Sequence, residues 1–322
     1  MGNQSSLDQI LQQYPVEVKE VEENPLYYKL STNKGTKILK RWDSPKELQL
    51  HFQYREDLAR AGFRKIDRFI RDSRGNPYII QGLYGFSLTD HITGKIPTTS
   101  NNDLIIAAKT IAEFHLASAK VEVKKQWKAW SPQYLRGLKH FQRIEEQLKE
   151  KKQKEPIDET VQSHITNLIE TTRESVELVE KLERNLFRNG AQPQWIHGSL
   201  KLSSLRIDPY QEGWLSHLPL PIFDIPVYDL AKLSNHIYQK SNFDIDKISV
   251  LLEEYQQWIP MEKIDKQWMI AYLSFPHDLW KFLYSYYIAG IKPVSINMDA
   301  QLKELIGLNI NQAQLVNSLF SL

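Results

Sequence analysis

Two stretches, Trp195-Ile-His-Gly-Ser-Leu-Lys-Leu-Ser-Ser-Leu205 and Val227-Tyr-Asp-Leu-Ala-Lys-Leu233, decide how this chain is read. The first is a loop built on a His-Gly pair and rich in hydroxyls, with no carboxylate or amide side chain. His197 is expected to hydrogen-bond backbone around the loop. Asp229 is expected to cap or brace the helix that begins beside it. No Gly-x-Ser-x-Gly elbow surrounds Ser199 or Ser204, so neither reads as a hydrolase nucleophile.

Working outward, the bulk numbers bound the answer. The 322 residues are 41% hydrophobic and 25% charged, enough for a large core in one bilobal domain or two domains. A net charge of +2 gives no reason to expect a general nucleic-acid or membrane-surface binder. The absence of cysteine excludes disulfides, thiolate zinc sites and cysteine nucleophiles. No run of residues approaches the roughly 18 apolar positions of a membrane span. Gly2 and Ser6 match a myristoylation pattern loosely, and the stretch reads as a plain polar terminus. The run 149–155 interleaves lysine with glutamate and reads as a solvated helix end.

Secondary structure follows the hydrophobic period. Residues 1–15 suggest a short helix, and 16–41 alternate as strands with a hairpin turn at Asn33-Lys-Gly35. Ser44-Pro45 opens a helix that runs to Gly62. Phe69-Ile-Arg-Asp and Pro77-Tyr-Ile-Ile-Gln flank the turn Ser73-Arg-Gly-Asn76 and predict a second hairpin. Gly82-Leu-Tyr-Gly85 is read as a connector. Helical periodicity then takes over from Asp103, with helices at 132–149, 158–188 (stopped by Asn189-Gly190), 244–258, 262–272, 276–289 and 299–320. The pattern predicts an α+β bilobal chain: an antiparallel-sheet lobe over 1–84 and a mostly helical lobe over 85–322. His115 lies on an apolar helical face and reads as a core histidine. His217 and His236 have no partner at a zinc spacing. The aromatic run Trp280 to Tyr287 reads as core packing, with an exposed partner-binding face as the alternative.

With these motifs in order, the chain resembles the aminoglycoside/choline-type phosphotransferases of the protein-kinase-like superfamily. Within them it is most similar to the kinase-like spore coat proteins of the CotS and YutH type. The resemblance runs from about residue 25 to 290. It is carried by Ile38-Leu-Lys40, Ile111-Ala-Glu-Phe-His-Leu-Ala-Ser118, Trp127 and Trp130, Trp195-Ile-His-Gly198, Ile225-Pro-Val-Tyr-Asp-Leu-Ala231 and Phe275-Pro-His-Asp-Leu-Trp-Lys281.

The resemblance implies an ATP and magnesium site. Phosphoryl transfer there needs a strand lysine for the phosphates, an Asp near the acceptor hydroxyl, and Asn and Asp side chains on magnesium. Lys40 matches the lysine, with Glu47 and Glu56 as candidate ion-pair partners. The family loop reads His-Gly-Asp-x-x-x-x-Asn. Here His197 and Gly198 persist, while Ser199 stands at the Asp and Ser204 at or beside the Asn. Counting back from Asp224-Ile-Pro226 puts His217 at the metal-binding Asp, unless a gap moves that role to Asp224; Asp208 is a third nearby carboxylate. A hydroxyl cannot serve as the carboxylate base, and neutral imidazole suits zinc better than magnesium. The degenerate positions are therefore His197, Ser199, Ser204 and His217. Lys40, Glu56 and Asp224 remain as a candidate nucleotide cleft, and no metal site is expected. The leading expectation is a pseudokinase that starts in the mother-cell cytoplasm, ends in the spore coat, and binds other coat proteins. The alternatives are an active small-molecule phosphotransferase with a rearranged metal site, and a nucleotide sensor.

Overall fold

Alternation over residues 18–42 is realised as three antiparallel strands in a computed structural model, which describes residues 2–122, 126–185, 192–216, 218–291 and 297–321. The chain divides into two compact units, Met1–Lys124 with Gln194–Ile222 and Gln257–Ile259, and Lys125–Pro193 with Phe223–Gln256 and Pro260–Leu322. The first carries the sheet and the second is helical, as the fold class required.

In the first unit, α1 (Gly2–Leu11) precedes β1 (Val18–Asn24), β2 (Tyr27–Thr32) and β3 (Gly35–Trp42). The helix α2 (Pro45–Arg60) starts at the expected cap, where the Ser44 side chain accepts from the Glu47 N–H. The strands β4 (Phe69–Ile70), β5 (Ile79–Gln81) and β6 (Tyr84–Asp90) complete a six-stranded sheet ordered β1-β2-β3-β6-β4, with β5 also on β6. The sequence reading missed β6 and took its start for a connector. Gly82, at φ 61, instead closes a two-residue turn between Gln81 and Tyr84. The strand then pairs with β3 from Lys37↔Asp90 to Trp42↔Gly85. Residues 85–89 are all buried, so the period-2 signal is erased. Phe86 and Leu88 pack with Ile10, Leu11 and Tyr14 of the N-terminal segment, while Leu48 of α2 closes on Gly85. The expected lobe boundary at residue 84 falls on the first residue of this strand.

The same unit holds α3 (Asn101–Ser118), β7 (Gln194–Ile196), a 3-10 turn at Leu202–Ser204, and the hairpin β8 (Leu205–Ile207) and β9 (Gly213–Leu215). Lys95 exchanges both backbone hydrogen bonds with Ile207, and Leu215 N–H donates to Lys65 at 2.9 Å. A short strand, β10 (Ile222–Asp224), ends the segment.

In the second unit are α4 (Ser131–Glu150), α5 (Pro156–Glu183), α6 (Val227–Lys240), α7 (Asp246–Gln256), α8 (Lys263–Ser274), α9 (His277–Leu283), a π-helical turn at Tyr284–Ile288, and α10 (Met298–Ser321). The helix α5 begins two residues before expected, because Glu155 and Asp158 form a reciprocal capping box. It ends at Glu183, and its predicted stop at Asn189-Gly190 lies outside the described residues. The Glu183 carboxylate accepts from the N–H groups of Trp130 and Ser131 at 2.6 and 2.9 Å, fixing the start of α4. The aromatic run after His277 enters the core of α4, α5 and α10 through Phe282 and Tyr286, while Tyr284 stays exposed.

Gly213 tests the packing of the first unit. A Cβ there would collide with Thr110 Oγ1 and lie 3.0 and 3.1 Å from Thr110 Cβ and Ile106 Cγ2 of α3. Gly213→Ala should therefore lower stability by about 1–3 kcal/mol, read as a fall in melting temperature. An unchanged melt would show that β9 does not press on α3.

Candidate functional site

The loop after β7 is organised by its own backbone. Gly198 has φ 78, and a Cβ there would lie 2.8 Å from Ile222 Cδ1, so the position requires glycine for both conformation and space. His197 is buried, and its Nδ1 accepts from the Ser199 N–H at 3.3 Å. Ser199 is exposed. Ser204 Oγ accepts from the Lys201 N–H at 3.4 Å, which braces the 3-10 turn. Both serines therefore sit in an ordered loop, and neither brings a carboxylate or carbonyl oxygen to it. His217 lies outside the described residues.

Lys40 sits on β3 with its Nζ 3.9 Å from the centre of the Trp42 ring. No carboxylate reaches ion-pair distance of it among the described residues. Glu56, one expected partner, pairs with Arg68 at 2.7 Å; Glu47 is exposed. The inward position on α2 belongs to Arg55, 3% exposed and paired through both Asp67 oxygens at 3.0 and 3.1 Å. Its Nη2 also donates to the Leu218 carbonyl at 2.9 Å, and Nη1 contacts His51 Nδ1 at 3.0 Å. Desolvation, then the Arg55 charge, lowers the Lys40 pKa. The same two causes, with Lys40 third, push His51 down to about 3. His51 is thus a neutral ring packed at a tilt of 52° against Trp42, with the ring centres 4.4 Å apart. Sequence reasoning missed Arg55 and His51. Their signal was spacing: Leu48, His51, Arg55 and Leu58 form one helical face, so two polar residues faced the core.

The spare carboxylates are already committed. Asp208 accepts from the Tyr210 and Glu212 N–H groups at 2.9 Å and from the Trp214 indole at 3.0 Å. It shapes the β8–β9 turn, and the Glu212 N–H is the main reason its pKa is lowered. Asp224 belongs to the second unit and is 8% exposed. Its Oδ1 accepts from Trp127 Nε1 at 2.8 Å, from Trp130 Nε1 at 3.1 Å and from the Ile225 N–H at 2.8 Å. Its Oδ2 accepts from Trp130 Nε1 at 2.9 Å. Magnesium requires oxygen ligands with free lone pairs in octahedral geometry. A metal at Asp224 or Asp208 would compete with these hydrogen bonds for the carboxylate lone pairs. Among the described residues no group of three His, Asp or Glu is placed to hold an ion.

A family model described as "Spore coat putative kinase YutH" matches residues 7–319. Among solved structures, the aminoglycoside phosphotransferase from Alicyclobacillus acidocaldarius superposes with a TM-score of 0.85 at 17% identity, over 98% of this chain and 95% of that one. A spectinomycin phosphotransferase in complex with ADP and spectinomycin gives 0.68 at 11% identity, over 99% and 98%. Choline kinase LicA from Streptococcus pneumoniae gives 0.56 at 14%, over 98% and 99%. At such identities these structures establish the fold alone.

The state of Asp224 is open to measurement. Burial pushes its pKa up to about 6, against the pull of the two indoles and the Ile225 N–H and with a further push from Asp229. A raised folded value means that protonation favours the folded state. The stabilisation is complete below about pH 4 and is lost as pH rises through about 6. Relative to Asp224→Asn, which cannot titrate, the wild type should lose up to about 3 kcal/mol between pH 4 and pH 7. Denaturant melts of both proteins across that range check it. A difference that stays flat would mean the carboxylate is not held in this way.

Proposed function

The chain belongs to the YutH family of kinase-like spore coat proteins, and from that premise we propose that it acts in the spore coat by binding other coat proteins, without transferring phosphate. It would be made in the mother cell and carried into the coat as a structural component. One observation carries the reading. The loop carries Ser199 and Ser204 where the family has Asp and Asn, and the nearby carboxylates Asp208 and Asp224 already accept several internal hydrogen bonds. That no carboxylate comes within ion-pair distance of Lys40 among the described residues supports it further, since a kinase lysine is normally held by one. A fold shared with phosphotransferases is no argument for activity by itself.

A second reading has one observation in its favour. Lys40 stands on the strand where a kinase of this fold holds the phosphates, and structures of this fold have been solved with ADP and with AMP. It would make the chain a small-molecule phosphotransferase, or a nucleotide sensor, using ATP.

A thermal-shift titration with ATP separates the readings. A nucleotide present at about a hundred times its Kd would add about 2.7 kcal/mol to the folded state. We expect no magnesium-dependent rise in melting temperature and no transfer to aminoglycoside or choline acceptors. Ser199→Asp alone should not create transfer. A magnesium-dependent shift with turnover, both lost in Lys40→Ala, would overturn the proposal.

A further inference from the structure

An open groove of about 360 Å³ in the first unit uses none of the loop residues or Lys40. The turn after α2, from Ala61 to Lys65, forms one wall, and the last turns of α3 with Lys120 and Trp258 form the other. Its floor is apolar. Phe63 and Ala117 are buried beneath it, while Leu116 and Trp258 are 41% and 40% exposed. Gly62, at φ 107, has nothing within 4 Å of a Cβ position, so the wall is open to close approach by another backbone.

The charges around this floor are unbalanced. Glu113 lines it and is held by Lys65, which also reaches Glu212 outside the lining. Lys109 Nζ lies 5.5 Å from the centre of the Trp258 ring, and its charge also reaches Glu212. Arg64 and Lys120 are exposed and have no ion-pair partner among the described residues. Three cations, Arg64, Lys65 and Lys120, therefore line the groove against one carboxylate, Glu113, around an exposed tryptophan and leucine, in a chain that is otherwise close to neutral. Tryptophan and arginine are the residue types that anchor protein interfaces.

We propose that this groove docks a partner protein through a short acidic segment with a bulky apolar side chain at its centre. The apolar group would enter between Leu116 and Trp258, and flanking carboxylates would meet Arg64, Lys120 and Lys109. A nucleic acid fits less well. The groove offers one ring where a strand needs a series of stacking platforms, and Glu113 would face its phosphates. The site gives a place to the interaction role proposed above, and a partner held elsewhere would leave that role standing.

Fluorescence anisotropy of the full chain with a labelled peptide, Glu-Asp-Glu-Leu-Phe-Glu-Asp-Glu, tests the site. Saturable binding with a Kd on the order of 50 µM is expected, weakening as salt rises. Arg64→Glu combined with Lys120→Glu should weaken it by about tenfold or more, and Trp258→Ala comparably. The reversal Lys128→Glu with Lys152→Glu should leave it unchanged, and a Gln/Asn version of the peptide should not bind. Unchanged melting curves for the charge variants keep the comparison clean. Four results would overturn the proposal: no saturable binding up to about 1 mM, affinity indifferent to the groove variants, tighter binding of an oligothymidylate, or a self-association abolished by Trp258→Ala.

Discussion

The first unit turns on one buried guanidinium. Arg55 projects from α2 into a space with almost no water, where an unpaired charge would cost several kcal/mol. It is tolerated because its donors are spent: on both oxygens of Asp67, on the Asp67 carbonyl, on the Leu218 carbonyl and on His51. These contacts tie α2 to the strand-entry loop and to the segment that follows the β8–β9 hairpin. They also set the electrostatics around Lys40. The inward position of α2 is a cation, the nearby carboxylate of Asp67 is committed to it, and the second acid, Glu56, is taken by Arg68. Lys40 is left to the face of Trp42.

The second unit follows the same logic with the opposite sign. Asp224 is a buried anion, and two indole donors and a backbone N–H make it bearable. A metal ion there would have to compete with these hydrogen bonds for the carboxylate lone pairs. In both units these buried polar groups serve as braces.

Much of this was legible in the residues. The three N-terminal strands, α2 with its Ser44 cap and the order of the later helices followed from hydrophobic period and turn chemistry. The family followed from the order of its motifs. The β6 strand was not legible, because burial on both faces removes the alternation that marks a strand and Gly82 looked like the start of a linker. The partners of the candidate residues were also hidden. Glu56 sits at a sensible spacing from Lys40, yet spacing along a helix does not say that Arg68 will reach it first. Asp224 looked free, because nothing in the order of residues says that Trp127 and Trp130 will both point at it.

The sequence by itself determined the class of fold and the absence of a carboxylate or amide side chain at Ser199 and Ser204, since a hydroxyl is neither wherever the chain places it. Only the tertiary structure decided whether the remaining carboxylates were available and which cations share a surface with Trp258. Hydrogen-bond partners and surface charges belong to residues far apart in the chain: Trp127 and Trp130 lie 97 and 94 positions from Asp224, and folding alone brings their indoles within 3 Å of it.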